Sequence, residues 1–267
     1  MATNFLTADG LCLALHESGA GKPMVFQHGL CGDATQPFQV FPDNAGYRCL
    51  TLECRGHGQS EAGSFEAFSI ATFTSDIAAM IEVQKLDRPV VGGISMGACI
   101  ALRLAVTRPD LVGALVLARP AWLLDAAPAN MTPNALVGAL LRNHAPSEAR
   151  TRFEATPLVA QLAVDAPDNL ASLRSFFSRE PLTTSAELLT RISADGPGVS
   201  QLDLRALKIP VLVIGHGKDY VHPLSLAKEL ASLIPGAQFV EITPKAIDPI
   251  RYRDDFRAAL ASFLKGL

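Results

Sequence analysis

Arg88-Pro89-Val90-Val91-Gly92-Gly93-Ile94-Ser95-Met96-Gly97-Ala98 is the stretch whose reading decides the fold. An apolar run over 90–94 leads into a serine with glycine two residues before and two after it, and an apolar helical pattern over 96–107 follows. The spacing is G-x-S-x-G, at Gly93, Ser95 and Gly97. A strand that turns directly into a helix forces the serine between them into a strained backbone conformation, and both flanking positions must then lack bulk. Such a turn presents the hydroxyl at the C-terminal edge of a sheet, beside the positive end of a helix. A dinucleotide-binding turn would need G-x-G-x-x-G, which starts at neither Gly92 nor Gly93.

Outward from this turn, short runs rich in Val, Leu and Ile alternate with helical patterns. The runs predict strands over 11–16, 24–27, 49–53, 90–94, 114–118, 211–215 and 238–242, the first two forming an antiparallel start. Helices are predicted over 69–84, 96–107, 223–233 and 254–264. The alternation argues for an α/β fold with a mostly parallel sheet flanked by helices. One connection is out of proportion. From Arg119 to Pro210 there are helical patterns broken by prolines and no convincing strand, far longer than an ordinary crossover. The expected organisation is a discontinuous core, residues 1–118 and 205–267, with an inserted helical cap at 119–204.

Composition bounds the partners. The 267 residues are 49% hydrophobic and 18% charged, which excludes disorder, and the net charge of −3 without a Lys/Arg run argues against nucleic acid and anionic membranes. Five cysteines show no C-x-x-C pair and no metal-ligand spacing, as expected for reduced thiols in a cytosol-like compartment. The start, MATNFLTADG, has no basic region followed by an apolar run, and no stretch approaches a membrane span. The expectation is a cytoplasmic protein with no cofactor and a small-molecule partner; a homodimer is left open.

Three further motifs join the G-x-S-x-G turn: Gln27-His28-Gly29-Leu30 after the strand 24–27, Glu53-Cys54-Arg55-Gly56-His57-Gly58-Gln59-Ser60 after the strand 49–53, and Gly215-His216-Gly217-Lys218-Asp219 after the strand 211–214. With them the sequence resembles the capped, serine branch of the α/β-hydrolase superfamily. The resemblance covers nearly the whole core and, less securely, the cap. It implies Ser95 as nucleophile, the backbone amides of Leu30 and Met96 as the oxyanion hole, and Asp219 as the residue that orients the base. It makes His28 and His57 structural.

The pattern breaks at the histidine. The family places it after the last strand, yet the loop Thr243-Pro244-Lys245-Ala246-Ile247-Asp248-Pro249 contains none, and no histidine follows His222. A serine hydroxyl is a poor nucleophile without a base. Three accounts are open. His222 could serve, although its spacing of three residues from Asp219 could hold the ring on the wrong side of the serine. Lys245 could be a desolvated base. Otherwise the usual triad is absent. Cys31 lies beside the oxyanion loop, where a packed thiol is the commoner outcome. Trp122 and Leu123 are candidate pocket walls, and the pocket is expected to be apolar with few polar groups. Six cap arginines, Arg142, Arg150, Arg152, Arg174, Arg179 and Arg191, are mostly a solvated face, though one could clamp a carboxylate. The leading functional expectation is hydrolysis of a small ester or lactone. A ligand-binding or sensor protein on a hydrolase scaffold is the alternative, and a cofactor-free C–C hydrolase or lyase a further one.

Overall fold

The computed structural model describes residues 2–43 and 45–267. Its strands are β1 (Ala2–Leu6), β2 (Cys12–Gly19), β3 (Lys22–Gln27), β4 (Tyr47–Leu52), β5 (Val90–Ile94), β6 (Ala114–Ala118), β7 (Val211–Gly215) and β8 (Gln238–Glu241). They form one sheet in the order β1-β2-β4-β3-β5-β6-β7-β8. The pairs β1–β2 and β2–β4 are antiparallel, and every pair from β4 onward is parallel.

Only β2 of the two runs expected at an antiparallel start is antiparallel. β3 lies parallel between β4 and β5, because its Met24, Val25 and Phe26 are wholly buried and need cover on both faces. The strand β1 was not anticipated; five residues at a chain end carry too little periodicity to stand out.

Helices α1 (Thr35–Val40), α2 (Ile70–Val83) and α3 (Met96–Thr107) follow β3, β4 and β5. Side chains alternate along the strands between two cores. Val25, Leu115, Leu117 and Val213 face α2 and α3, whereas Phe26, Val116, Leu212 and Ile214 face the C-terminal helix. This alternation explains why the central strands read as unbroken apolar runs.

Between β6 and β7 the described residues hold no strand. They form α4 (Thr132–Asn143), α5 (Pro146–Glu154), α6 (Pro157–Asp165), α7 (Pro167–Ser175), α8 (Leu182–Ala194) and α9 (Gln201–Ala206). The prolines that punctuate this stretch start helices: Pro146, Pro157 and Pro167 each occupy a first helical position, where the missing N–H costs nothing. Helix α9 runs across the expected boundary at 205. Beyond β7 come α10 (Leu224–Leu233) and α11 (Pro249–Lys265). The last begins five residues earlier than its apolar pattern indicated, because Asp248 caps it, accepting from the amides of Ile250 and Arg251, and Pro249 opens it.

The register brings the chemistry to one edge. Gln27 pairs with Gly93, Ala118 with both Ile94 and Ile214, and Gly215 with Glu241. The loops after β3, β5, β6 and β7 therefore leave the sheet side by side. At the strand-to-helix turn a side chain on Gly97 would meet the Gln27 carbonyl oxygen at 2.4 Å, and one on Gly93 would meet the Gly97 backbone at 2.4 Å. Both contacts are with backbone and cannot be relieved by a rotamer change. Gly97→Ala should destabilise the fold by about 1–3 kcal/mol. Thermal unfolding should show a midpoint several degrees lower, and an unchanged midpoint would contradict this account of the glycine.

Candidate active site

Ser95 sits between β5 and α3 with φ 57° and ψ −111°, a conformation that side-chain-bearing residues rarely adopt. Its amide donates to the Ala118 carbonyl at 3.0 Å, which locks the turn to the end of β6. The residue is 8% exposed and opens onto a cavity of about 240 Å³.

His222 is the base candidate that the structure brings to this serine. Its Nε2 lies 2.8 Å from Ser95 Oγ. Its Nδ1 lies 2.9 and 3.0 Å from the two Asp219 carboxylate oxygens. A carboxylate at Nδ1 assigns the proton to that nitrogen and leaves Nε2 as the acceptor facing the hydroxyl.

The spacing of three residues, which argued against His222, is what makes the contact. The His222 backbone amide also donates to Asp219 Oδ1, at 3.0 Å, so the loop curls around its own carboxylate and turns the ring outward. Asn169 of α7 pins the same loop, its Oδ1 accepting from the amides of Tyr220 and Val221 at 2.7 and 3.0 Å. Pro223 then starts the approach to α10. Lys245 is exposed and does not line the serine's cavity, and Ile247 is 62% exposed.

Arg119 was missed by the sequence reading. It is the first residue after β6, with φ 46°. Its Nε and Nη2 donate to Asp219 Oδ2 at 3.0 and 2.6 Å, and its Nη2 lies 3.1 Å from His222 Nδ1. The guanidinium stands 6.0 Å from the Tyr252 ring. Nothing in the sequence around Arg119 marks it, since its partners lie a hundred residues downstream.

These charges set the protonation states. Burial alone would push the Asp219 carboxyl up, but Arg119 and His222 overcome it and hold the group well below the ordinary carboxylate range. Burial pushes His222 below its ordinary value; Asp219 opposes this and the Arg119 cation adds to it. The imidazole is therefore neutral at pH 7 and able to accept a proton.

Leu30 lines the cavity at Ser95, and Met96 directly follows the serine at the start of α3. A side chain on Gly29 would touch Ser95 Cβ at 3.4 Å, so the loop carrying Leu30 packs directly against the serine. The amide of Met96 opens α3, ahead of that helix's own hydrogen-bond ladder. His28 donates from Nδ1 to the Gly29 carbonyl and accepts from the Cys54 amide at Nε2, which ties its loop to the turn after β4. His57 donates to the Arg55 carbonyl and packs 4.7 Å from His28. Burial lowers both of their pKa values. His216 bonds to the Gly217 carbonyl and is lowered by burial to about 4. Cys31 is buried and lines the cavity, and burial pushes its thiol up to about 12, so it is no thiolate.

Two expectations about the pocket need correction. Trp122 and Leu123 do not line the cavity at Ser95. Trp122 is 2% exposed and its indole donates to the Asp195 carbonyl, while Leu123 packs against the core. Nor is the cavity chiefly apolar. Gln36, Asn134, Asn169, Ser172, Ser175 and Arg179 all line it, because α1, α4, α7 and the chain just beyond α7 each turn polar positions toward the serine.

A family model described as alpha/beta hydrolase fold matches residues 22–246. The chain belongs to the α/β-hydrolase family. It is 33% identical over 240 residues to the Mycobacterium tuberculosis protein named "Putative non-heme bromoperoxidase BpoC", covering 86% of this chain and 88% of that one. Two solved structures share the fold. An esterase from Exiguobacterium antarcticum superposes with a TM-score of 0.74 at 22% identity, covering 99% of this chain and 100% of that one. An enol-lactonase from Burkholderia xenovorans LB400 superposes with a TM-score of 0.70 at 23% identity, covering 94% and 96%.

The cation beside His222 yields a prediction of defined sign. In an NMR titration the His222 ring should ionise below pH 6.5. Arg119→Gln removes a charge that disfavours the imidazolium, so the midpoint should move up. A midpoint that stays in place or falls would show that Arg119 does not act on the ring.

Proposed function

We propose that this α/β-hydrolase is a serine hydrolase of small-molecule esters or lactones. The observation that carries the reading is the continuous chain from Ser95 Oγ through His222 to Asp219, with contacts of 2.8 and 2.9 Å. Ser95 Oγ attacks the carbonyl carbon while its proton passes to His222 Nε2. The carbonyl oxygen becomes an oxyanion that the Leu30 and Met96 amides receive. The tetrahedral species collapses, and His222 returns the proton to the departing alkoxide. Water then attacks the acyl-enzyme, again giving its proton to Nε2; the second tetrahedral species breaks its bond to Ser95 Oγ, which takes that proton back, and the acid leaves. Asp219 keeps the imidazole in the working tautomer and stabilises the imidazolium.

The helical stretch 119–204 would act as the cap over this site, excluding water during the acyl transfer. All steps use groups of the chain itself, and the partner is a small molecule rather than nucleic acid or membrane. Among the described residues no helix is long and apolar enough to cross a membrane, and all five cysteines are unpaired. The unpaired cysteines fit a cytoplasmic setting. The alternative of a ligand-binding scaffold without turnover drew its force from a serine with no base. A neutral imidazole at hydrogen-bond distance weakens that ground.

Short-chain 4-nitrophenyl esters test the proposal. Ser95→Ala should abolish the burst of 4-nitrophenol, and Asp219→Asn should lower kcat by roughly 10³- to 10⁴-fold, as loss of the tautomer-setting carboxylate does elsewhere. Full activity in Ser95→Ala on a substrate that the wild type hydrolyses would reject the mechanism.

A further inference from the structure

The cavity at Ser95 has a charge and hydrogen-bond character that the hydrolytic reaction does not use. Its fixed charges are Arg119 and Arg179, and no Asp or Glu lines it. This is not a reflection of composition, because acids outnumber bases in the chain, 26 against 23. Arg119 is neutralised by Asp219 at 2.6 Å. Arg179 is not comparably held: its one ion pair, to Asp33, is 3.6 Å long, and the side chain stays 36% exposed.

Two asparagines line the same cavity while more than nine-tenths buried, Asn134 at 7% and Asn169 at 5% exposure. Asn169 spends its carbonyl oxygen on the Tyr220 and Val221 amides, and its NH₂ has no partner within the described residues. Asn134 has no side-chain hydrogen bond at all among them. Neither amide is sealed off from the cavity, so each can donate to an oxygen of a molecule bound there. Arg179, held only by its long contact to Asp33, supplies the sign of the group that such a molecule would carry.

We infer that the site takes a small ester or lactone that carries a carboxylate away from the scissile bond. Arg179 pairs with this carboxylate, and the Asn134 and Asn169 amides donate to the oxygens of the same substrate. The inference rests on the serine-hydrolase reading and narrows its substrate class. It also separates Arg179 from the other arginines of the segment. Arg142, Arg152, Arg174 and Arg191 each have an ion pair of 3.0 Å or less with a glutamate.

The test compares 4-nitrophenyl hydrogen glutarate with 4-nitrophenyl valerate, which share leaving group and chain length and differ by the terminal carboxylate. Wild type should favour the glutarate ester at least tenfold in kcat/KM at low salt, and the preference should shrink as salt is added. Arg179→Gln should lower the glutarate-to-valerate ratio at least tenfold, chiefly through KM, and Arg179→Lys should restore part of it. Asn134→Leu should lower the ratio too. Arg150→Gln, an exposed arginine outside the cavity, should leave it in place. A wild-type enzyme that handles valerate as well as glutarate, or a ratio indifferent to Arg179→Gln, overturns the inference while leaving the hydrolase reading intact. Should neither ester be cleaved, calorimetric binding of glutarate decides the charge question alone. A tenfold loss of affinity in Arg179→Gln supports the carboxylate site, and equal affinity refutes it.

Discussion

The Asp219 carboxylate is the interaction on which the site depends. It is almost wholly buried and accepts from four directions: two donors of Arg119, the Nδ1 of His222, and the His222 backbone amide. A carboxylate in such a place would be costly without that many donors. The same donors decide where the imidazole goes. One contact fixes the loop, one fixes the ring, and the guanidinium behind them fixes the charge.

The position of this carboxylate is a product of sheet register. Strands β3, β5, β6 and β7 end level with one another, so the turn of Ser95, the loop of Leu30, the start of Arg119 and the loop of Asp219 emerge along one edge. The glycines at 93 and 97 let β5 and α3 pack close enough to β3 for this to hold. Helix α7 then closes the arrangement from the other side through Asn169. Fold and site are thus coupled: Asn169, which pins the loop carrying His222, also lines the cavity at Ser95.

Much of this was legible in the sequence because it is local. The apolar runs, the G-x-S-x-G turn and helix 96–107 are written in consecutive residues, and helix α3 has the bounds that its pattern indicates. The structural roles of His28 and His57 were legible for the same reason, since each bonds to carbonyls or amides of its own motif loop or its neighbour. What remained open was non-local or geometric. Whether His222 faces Ser95 depends on the curl of a four-residue loop and on an anchor in α7, and spacing alone gives either orientation. Arg119 has no motif. The polar lining was misjudged because Asn134 and Asn169 sit on separate helices and Arg179 in extended chain beyond α7, and a cavity built from several elements has no periodicity. Trp122 misled for a plain reason: a large side chain just beyond a strand suggests a pocket wall, yet its indole N–H found a carbonyl and its ring was buried.

On the proposed mechanism the loop after β8 needs no histidine, because His222 already stands 2.8 Å from Ser95 Oγ beside Asp219. The central claim is that the acid and the base share one loop. The rate at which a fluorophosphonate labels Ser95, followed by mass spectrometry in wild type and His222→Ala, tests it most directly. The account predicts rapid labelling of wild type at neutral pH and labelling slowed by at least a thousandfold in His222→Ala, in line with the loss of a general base. Labelling at the wild-type rate in that variant would mean that another group, or none, activates the serine.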